Sequence, residues 1–144
     1  MSADDSGKPS VFISDRQTRS IDEDGLRELA ERTLVGEGKA VSELSVSFVA
    51  EAEIADLHGR YLHEEGPTDV LSFPLEDVDD GVAILGDVVI APEVAARNNP
   101  DVEAELRLLL VHGILHLLGH DHEDETERAV MWERQERYTG IRVP

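Results

Sequence analysis

Three histidines, His112, His116 and His122, have the spacing of a metal site. His112 and His116 are four residues apart, so on a helix they share one face, with about 6 Å of rise and roughly 40° of rotation between them. Both imidazoles can therefore reach one ion. Gly119 follows and can end the helix in a left-handed conformation, after which the chain can turn back towards the same ion.

The third ligand of such a site must come from beyond this turn, as His120, Asp121 or His122. His120 on an unbroken helix would lie about 12 Å along the axis from His112. Because metal–nitrogen bonds are only about 2.0–2.1 Å long, three residues spread in this way cannot converge on one ion. The spacing favours His122 as the third ligand.

The spacing is that of the zinc motif HExxHxxGxxH, with one difference. Gly113 stands where that motif has the glutamate that serves as general base in zinc peptidases. Three protein ligands leave a fourth position open for water, which is typical of a catalytic rather than a structural site. The chain has no cysteine for a closed thiolate site. The motif predicts a catalytic metal, with zinc as the expected ion, one per chain.

The length and charge of the chain restrict the kind of protein to which this site can belong. A chain of 144 residues is a normal size for one domain, and we expect a flexible N-terminus over residues 1–10 followed by a single domain over residues 11–144. The formal net charge of −19 argues against a broad basic surface for nucleic acid. There is no export signal, no cysteine and no apolar stretch long enough to span a bilayer, so the expected location is the cytoplasm and no membrane partner is expected.

Hydrophobic periodicity predicts a single α+β unit with a central buried helix that carries the histidines. The central helix is expected because residues 106–118 are apolar nearly all round. Its predicted cap is Asn98 or Asn99, before Pro100. The expected strands are residues 11–14, 44–50, 70–75 and 84–91, with an acidic loop over residues 76–81. The other expected helices are 20–36, 51–62 and 124–138, and a helical turn is expected over residues 92–97.

Two local patterns refine these elements. Ser20 to Glu23 reads as a capping box at the start of the first helix. In the helix over residues 51–62, the buried stripe is expected to include Tyr61. Trp132 and Val130, on the last helix, are expected to pack against the core.

Three runs of sequence together resemble the YbeY family of metal-dependent endoribonucleases: PTDVLSFP at 67–74, ILGDVVIAPEVA at 84–95 and HGILHLLGHDH at 112–122. With the linking helices they cover roughly residues 40–140. The resemblance implies a small mixed β-sheet flanked by helices. It also implies a zinc-bound, single-strand-directed ribonuclease that acts in small-subunit ribosomal RNA maturation and ribosome quality control.

Carried over to this sequence, the resemblance makes His112, His116 and His122 the metal ligands. Three polar residues match those that line the same cleft, namely Thr68, Asp69 and Ser72. The implied partners are ribosomal RNA and the small ribosomal subunit. The net charge of −19 adds a basic ribosomal protein as a candidate partner, since it would supply the missing positive charge.

One position departs from the family pattern. Well-known members have an arginine five residues before the proline of PTDVLSFP, and this chain has Leu62 there. Arg60 is two residues away, which on a helix turns it by about 160°, and His63 is the next cationic candidate. We take Arg60 and Asp121 as the candidate catalytic residues. Asp87 either faces outward or is paired near the site.

Two other functions stay open at this point. A zinc peptidase would use the same metal geometry, but Gly113 lacks the side chain that such enzymes use as a base. A ribosome-assembly factor with a chiefly structural metal would fit the acidic charge and Leu62. An endoribonuclease is the leading hypothesis.

Overall fold

The structure, a computed structural model, describes residues 8–62 and 68–142. Within them the chain forms four strands and five helices. In chain order these are β1 (Ser10–Arg16), α1 (Glu23–Gly36), β2 (Ser42–Val49), α2 (Glu51–Leu62), β3 (Val70–Asp79), β4 (Val82–Ile90), α3 (Pro92–Asn98), α4 (Val102–Leu117) and α5 (Glu125–Thr139).

The four strands form one mixed sheet in the order β1-β2-β4-β3. β1, β2 and β4 are parallel, and β3 runs antiparallel to β4 at the edge of the sheet. The parallel pairs need helical crossovers, which α1 and α2 contribute, whereas β3 and β4 are joined directly as a hairpin. This arrangement confirms the α+β class and the small mixed sheet flanked by helices.

Helices cover both faces of the sheet. On one face, called here the α4 face, α1, α4 and α5 bury the larger core, which includes Val46, Val88, Leu110 and Ile114. On the other, called the α2 face, a smaller cluster contains Val49, Ile54, Leu71, Val89, Ala91 and Val94. Since neighbouring residues of a strand point to opposite faces, Val88 belongs to the first core and Val89 to the second.

α4 is the central helix, as its apolar sequence predicts, and most of its residues from Leu106 onward are buried. Its predicted start at Asn98 or Asn99 is wrong, because the N-cap is Asp101, whose side chain accepts a hydrogen bond from the amide of Ala104. Asn98 instead ends α3. An aspartate caps as well as an asparagine, so the sequence offered competing caps within three residues.

The predicted cap of α1 is also displaced. The helix begins after Asp22, whose side chain accepts from the amide of Gly25, and not after Ser20. Ile21, the residue before the cap, packs against the same core as Leu26. An apolar residue before the cap that packs against the core helps to fix how the chain enters a helix.

The prediction of an acidic loop over residues 76–81 is wrong. This segment forms the tip of the β3–β4 hairpin. Both strands continue to a two-residue turn at Asp80 and Gly81, which both have positive φ, 55° and 82°. Asp-Gly is a favoured pair for such turns, because glycine and aspartate tolerate the left-handed region. The long hairpin extends β3 beyond the pocket described below.

Several exposures also differ from expectation. Tyr61 is 58% exposed and Val130 42% exposed, so neither packs in the core as predicted, although Trp132 is partly buried against it. The predicted flexible segment 1–10 lies mostly outside the described residues, and Ser10 already belongs to β1. Among the helices that the structure describes, none is long and apolar enough to cross a membrane.

Candidate active site

The three histidines of the motif line one pocket of about 230 Å³ on the α4 face, which we call the histidine pocket. His112 and His116 lie on α4, and His122 lies between α4 and α5. The wall opposite the histidines comes from the start of the edge strand β3. The lining residues are Val70, Leu71, Ser72, His112, His116 and His122.

The turn after α4 has the hydrogen bonds that return the chain to this pocket. Gly119 has a φ of 99°, in the left-handed region that favours glycine. The amide of Gly119 donates to the carbonyl of His116, and the amide of His120 donates to the carbonyl of Leu115. This is the Schellman pattern of a helix C-terminus. The predicted role of Gly119 in ending the helix is therefore confirmed.

The three candidates for the third ligand have different surroundings. The Nε2 of His120 is 3.0 Å from the Oε1 of Glu37, away from the pocket. The Oδ1 of Asp121 accepts a hydrogen bond from the amide of His122, so this carboxylate stabilises the turn that follows α4. Of the three, His122 is the residue that lines the histidine pocket.

His112 is the most enclosed of the three rings. Its Nδ1 is 2.6 Å from the Oε1 of Gln135 on α5. Burial lowers the pKa of His112 below its ordinary value, and the neighbouring rings of His122 and His116 act in the same direction, whereas the contact with Gln135 raises it. A neutral imidazole is the form in which histidine binds metals.

Trp132, also on α5, contacts two of the rings. Its ring centroid is 6.0 Å from that of His112 and 5.8 Å from that of His122, and the two imidazole centroids are 5.5 Å apart. Two imidazoles bound to one tetrahedral zinc place their centroids roughly 5 Å apart. The donor type and the separation of this pair thus fit a zinc site.

The complete set of side chains is not arranged as a metal site. Within residues 8–62 and 68–142, no group of three or more His, Cys, Asp or Glu side chains is placed so that it could hold a metal ion. His116 and His122 are exposed, so their rings can change rotamer without disturbing the core. A shared ion is therefore a proposal, which we argue below.

Gly113 is fixed by packing between α4 and the sheet. A Cβ at this position would lie 2.7 Å from Cγ1 of Val88, closer than side chains tolerate. The hydroxyl of Ser72 donates to the carbonyl of Gly113 at 3.0 Å, which ties α4 to β3 beside the histidines. A glutamate at position 113 would thus meet the sheet, so the glycine has a structural reason beyond the absence of a base.

The other predicted cleft residues lie next to the pocket and do not line it. Asp69 accepts a hydrogen bond from the side chain of Asn98 and, through its backbone carbonyl, one from the amide of Ala91. Its charge acts on His112, where it favours the protonated ring. Thr68 immediately precedes it and is partly buried.

The candidate residues on the α2 face are far less enclosed. The guanidinium of Arg60 is 3.3 Å from Asp56 and lies 5.7 Å from the ring centroid of Tyr61. Asp87 is exposed in a groove on this face, and partial burial raises its pKa. Neither residue lines the histidine pocket. The side chain of Leu62, and His63 as a whole, lie outside the described residues.

The turn and α5 are held by a carboxylate that sequence reasoning missed. Glu37, at the end of α1, has a side chain only 5% exposed and accepts hydrogen bonds from Arg134 at 2.7 Å and Tyr138 at 2.6 Å, besides its contact with His120. Burial alone would raise the pKa of Glu37, but these three hydrogen bonds lower it below its ordinary value. We call these four residues the Glu37 cluster.

Comparison with known proteins identifies relatives over most of the chain. A sequence model of the family described as Endoribonuclease YbeY matches residues 12–140. A protein of Frankia alni named Endoribonuclease YbeY is 43% identical, with 88% of this chain and 79% of the relative covered. One of Thermobifida fusca with the same name is 41% identical, with 88% and 89% covered. A solution structure of a Thermotoga maritima protein has a TM-score of 0.63 and 31% identity, with 90% and 86% covered.

Proposed function

The chain belongs to the YbeY family, and we propose that it is an endoribonuclease that hydrolyses phosphodiester bonds of single-stranded ribosomal RNA during small-subunit maturation and ribosome quality control. One observation supports this proposal above the others. Three histidines line one pocket in a chain whose relatives are named endoribonucleases.

The same proposal assigns one zinc ion per chain to His112, His116 and His122. All three carry imidazole side chains, and the ring centroids of His112 and His122 are 5.5 Å apart, near the roughly 5 Å expected for two imidazoles on one zinc. His116 is exposed, so its ring can rotate towards the other two. When bound, zinc would supply Lewis acidity for a phosphoryl oxygen and lower the pKa of water.

The chain's own residues would position the RNA and the ligands. Ser72 holds α4 against β3, so the histidines keep a fixed distance from the edge strand. We assign Thr68, Asp69 and Ser72 to the cleft along which the phosphodiester approaches. Asp69 and Ser72 act mainly by fixing backbone and helix, since the Oδ2 and backbone carbonyl of Asp69 and the hydroxyl of Ser72 take part in such contacts.

The two candidate catalytic residues receive different roles. Asp121 positions His122, because its carboxylate holds the amide of that residue. Arg60 is exposed and supplies positive charge to an approaching RNA strand, although its guanidinium is shared with Asp56. Long, exposed cations contribute to phosphate affinity without fixing the reacting atoms.

The acidic charge favours a second candidate function, a ribosome-assembly factor with a chiefly structural metal. A net charge of −19 opposes RNA binding through long-range electrostatics. A basic ribosomal protein of the small subunit would compensate this charge. For either function, we propose the cytoplasm as the location of the protein.

Cleavage of a precursor small-subunit ribosomal RNA fragment by zinc-loaded protein tests the function. The wild type is compared with His116→Ala, at an exposed position in the pocket, and with the control His58→Ala on α2. We expect cleavage by wild type and control and its loss in His116→Ala. Equal cleavage by all three would indicate a contaminating nuclease, and cleavage by none would favour the assembly factor.

A further inference from the structure

Gln135 is a buried polar residue on α5 whose side chain contacts His112, one of the rings that line the histidine pocket. It is 2% exposed, and its amide oxygen lies 2.6 Å from Nδ1 of His112. The two residues are 23 positions apart and belong to different helices. A buried amide in contact with a ring that lines the pocket is positioned to control that ring.

The chemistry of this contact fixes the hydrogen on the imidazole. An amide oxygen can only accept a hydrogen bond, so Nδ1 of His112 must carry the hydrogen. In the neutral ring, Nε2 then carries the lone pair. The nitrogen opposite Gln135 is thus the one left to bind an ion.

The position of Gln135 is itself fixed by its neighbours on α5. Thr139 donates its hydroxyl to the backbone carbonyl of Gln135 at 2.7 Å. Arg134 and Tyr138, on either side of it along the helix, are both bonded to the buried Glu37. The contacts of Arg134 and Tyr138 anchor α5 to α1, so the backbone that carries Gln135 is held beside α4.

We propose that Gln135 is a positioning residue that holds His112 as the Nδ1–H tautomer, with Nε2 directed towards the zinc that the proposed function places in this pocket. Of the three rings, His112 is the most enclosed, whereas His116 and His122 are exposed. The two exposed rings can therefore change rotamer to share an ion with Nε2 of His112. Outer partners that orient a ligating histidine typically change metal affinity about 10–100-fold when they are removed.

Two substitutions separate the hydrogen bond from the packing. Gln135→Met keeps the length of the side chain and removes the acceptor, whereas Gln135→Glu keeps an acceptor at the same place. Gln17→Met is the matched control, since Gln17 lies in a loop and bonds only to Asp15 and Arg19 among the contacts described.

The first readout is the tautomer of His112 in the zinc-free protein, measured by long-range ¹H–¹⁵N NMR of the imidazoles at about pH 8, where ordinary histidines are neutral. We expect a single Nδ1–H tautomer in wild type, Gln17→Met and Gln135→Glu. We expect a mixture of tautomers in Gln135→Met.

The second readout is zinc affinity by chelator competition, followed through Trp132, the only tryptophan of the chain. Its ring adjoins both His112 and His122, so its fluorescence reports on an ion in the pocket. We expect affinity to fall about 10–100-fold in Gln135→Met and to stay within a few-fold of wild type in Gln135→Glu and Gln17→Met.

The outcomes distinguish this inference from the proposed function. If wild type binds zinc and Gln135→Met matches it in tautomer and affinity, the inference is wrong and the proposed function stands. If wild type binds no zinc, the metal of the proposed function is wrong, and the inference fails with it. Should Gln135→Met fail to fold, a folded Gln135→Glu with tenfold weaker zinc binding would overturn the inference.

Discussion

The two faces of the sheet hold their polar side chains in different ways. On the α4 face, buried polar groups connect separate elements: Gln135 bonds to His112, and Glu37 connects α1 with the turn and α5. On the α2 face, the ion pairs Arg16–Glu53 and Arg60–Asp56 among the described residues are exposed. Buried polar groups are costly to leave without partners, whereas exposed pairs contribute little.

This difference shows on which face of the sheet buried interactions fix the positions of side chains. His112 stands on the face where packing and a buried hydrogen bond fix its surroundings, and the exposed His116 and His122 lie beside it. Arg60, on the other face, is held by one surface pair with Asp56. We infer that chemistry requiring fixed side-chain positions takes place on the α4 face. The α2 face contributes exposed charged groups such as Arg60, which can contact an RNA strand.

The largest expected difference between the faces is in RNA cleavage. His122→Ala removes a proposed ligand, so kcat/KM should fall at least about 100-fold. Arg60→Ala removes one exposed charge, and kcat/KM should fall less than about tenfold, with a weaker dependence on salt. Steady-state cleavage of the same RNA at two salt concentrations measures both. A larger loss in Arg60→Ala would place the chemistry near α2.

The next difference is in stability. Glu37→Gln removes a buried carboxylate that accepts from Arg134 and Tyr138, and we expect the free energy of unfolding to fall by about 2 kcal/mol. Glu53→Gln makes the same change in an exposed pair with Arg16, and the loss should be below about 1 kcal/mol. Urea unfolding at pH 7 checks both values. Equal losses would mean that burial does not separate the two faces.

The effect of Glu37 should depend on pH. Its pKa is lowered in the folded protein, so its stabilising contribution is complete above the unfolded-state pKa of about 4.3 and is lost as pH falls through the folded pKa. The difference in unfolding free energy between wild type and Glu37→Gln should therefore shrink below about pH 4. A difference that stays constant from pH 7 to pH 3 would contradict this role.

The smallest expected difference comes from one substitution made on each face. Gly113→Ala introduces a Cβ against Val88, and overpacking of this kind costs about 1–3 kcal/mol, which the gain in helix propensity of about 1 kcal/mol only partly offsets. Gly59→Ala, at an exposed position of α2, should instead stabilise by up to about 1 kcal/mol. Thermal unfolding gives the two signs, and a stabilised Gly113→Ala would show that α4 can move away from the sheet.

The parts of the site that could be predicted are those encoded locally. The four-residue spacing of His112 and His116 and the glycine at 119 were sufficient to predict the helix, its end and the turn, because each depends on neighbouring residues. The caps were misplaced by two or three positions, since Ser20 competes with Asp22 and Asn99 with Asp101. Local patterns rank such alternatives poorly when each can accept the same hydrogen bond.

The supporting residues could not be predicted, because their partners are distant in sequence. Gln135 is 23 residues from His112, and Glu37 is 83 residues from His120. Neither shows a periodic or spacing signal, and a lone glutamine or glutamate in a helix usually lies on the surface. Only packing of α1 and α5 against α4 creates these contacts.

Native mass spectrometry of the zinc-loaded protein tests the central claim most directly. The account predicts one zinc per chain in the wild type, one in His58→Ala on the α2 face, and none in His116→Ala. A wild type without zinc, or a His116→Ala variant that retains one ion per chain, would contradict the assignment of the metal to the histidine pocket.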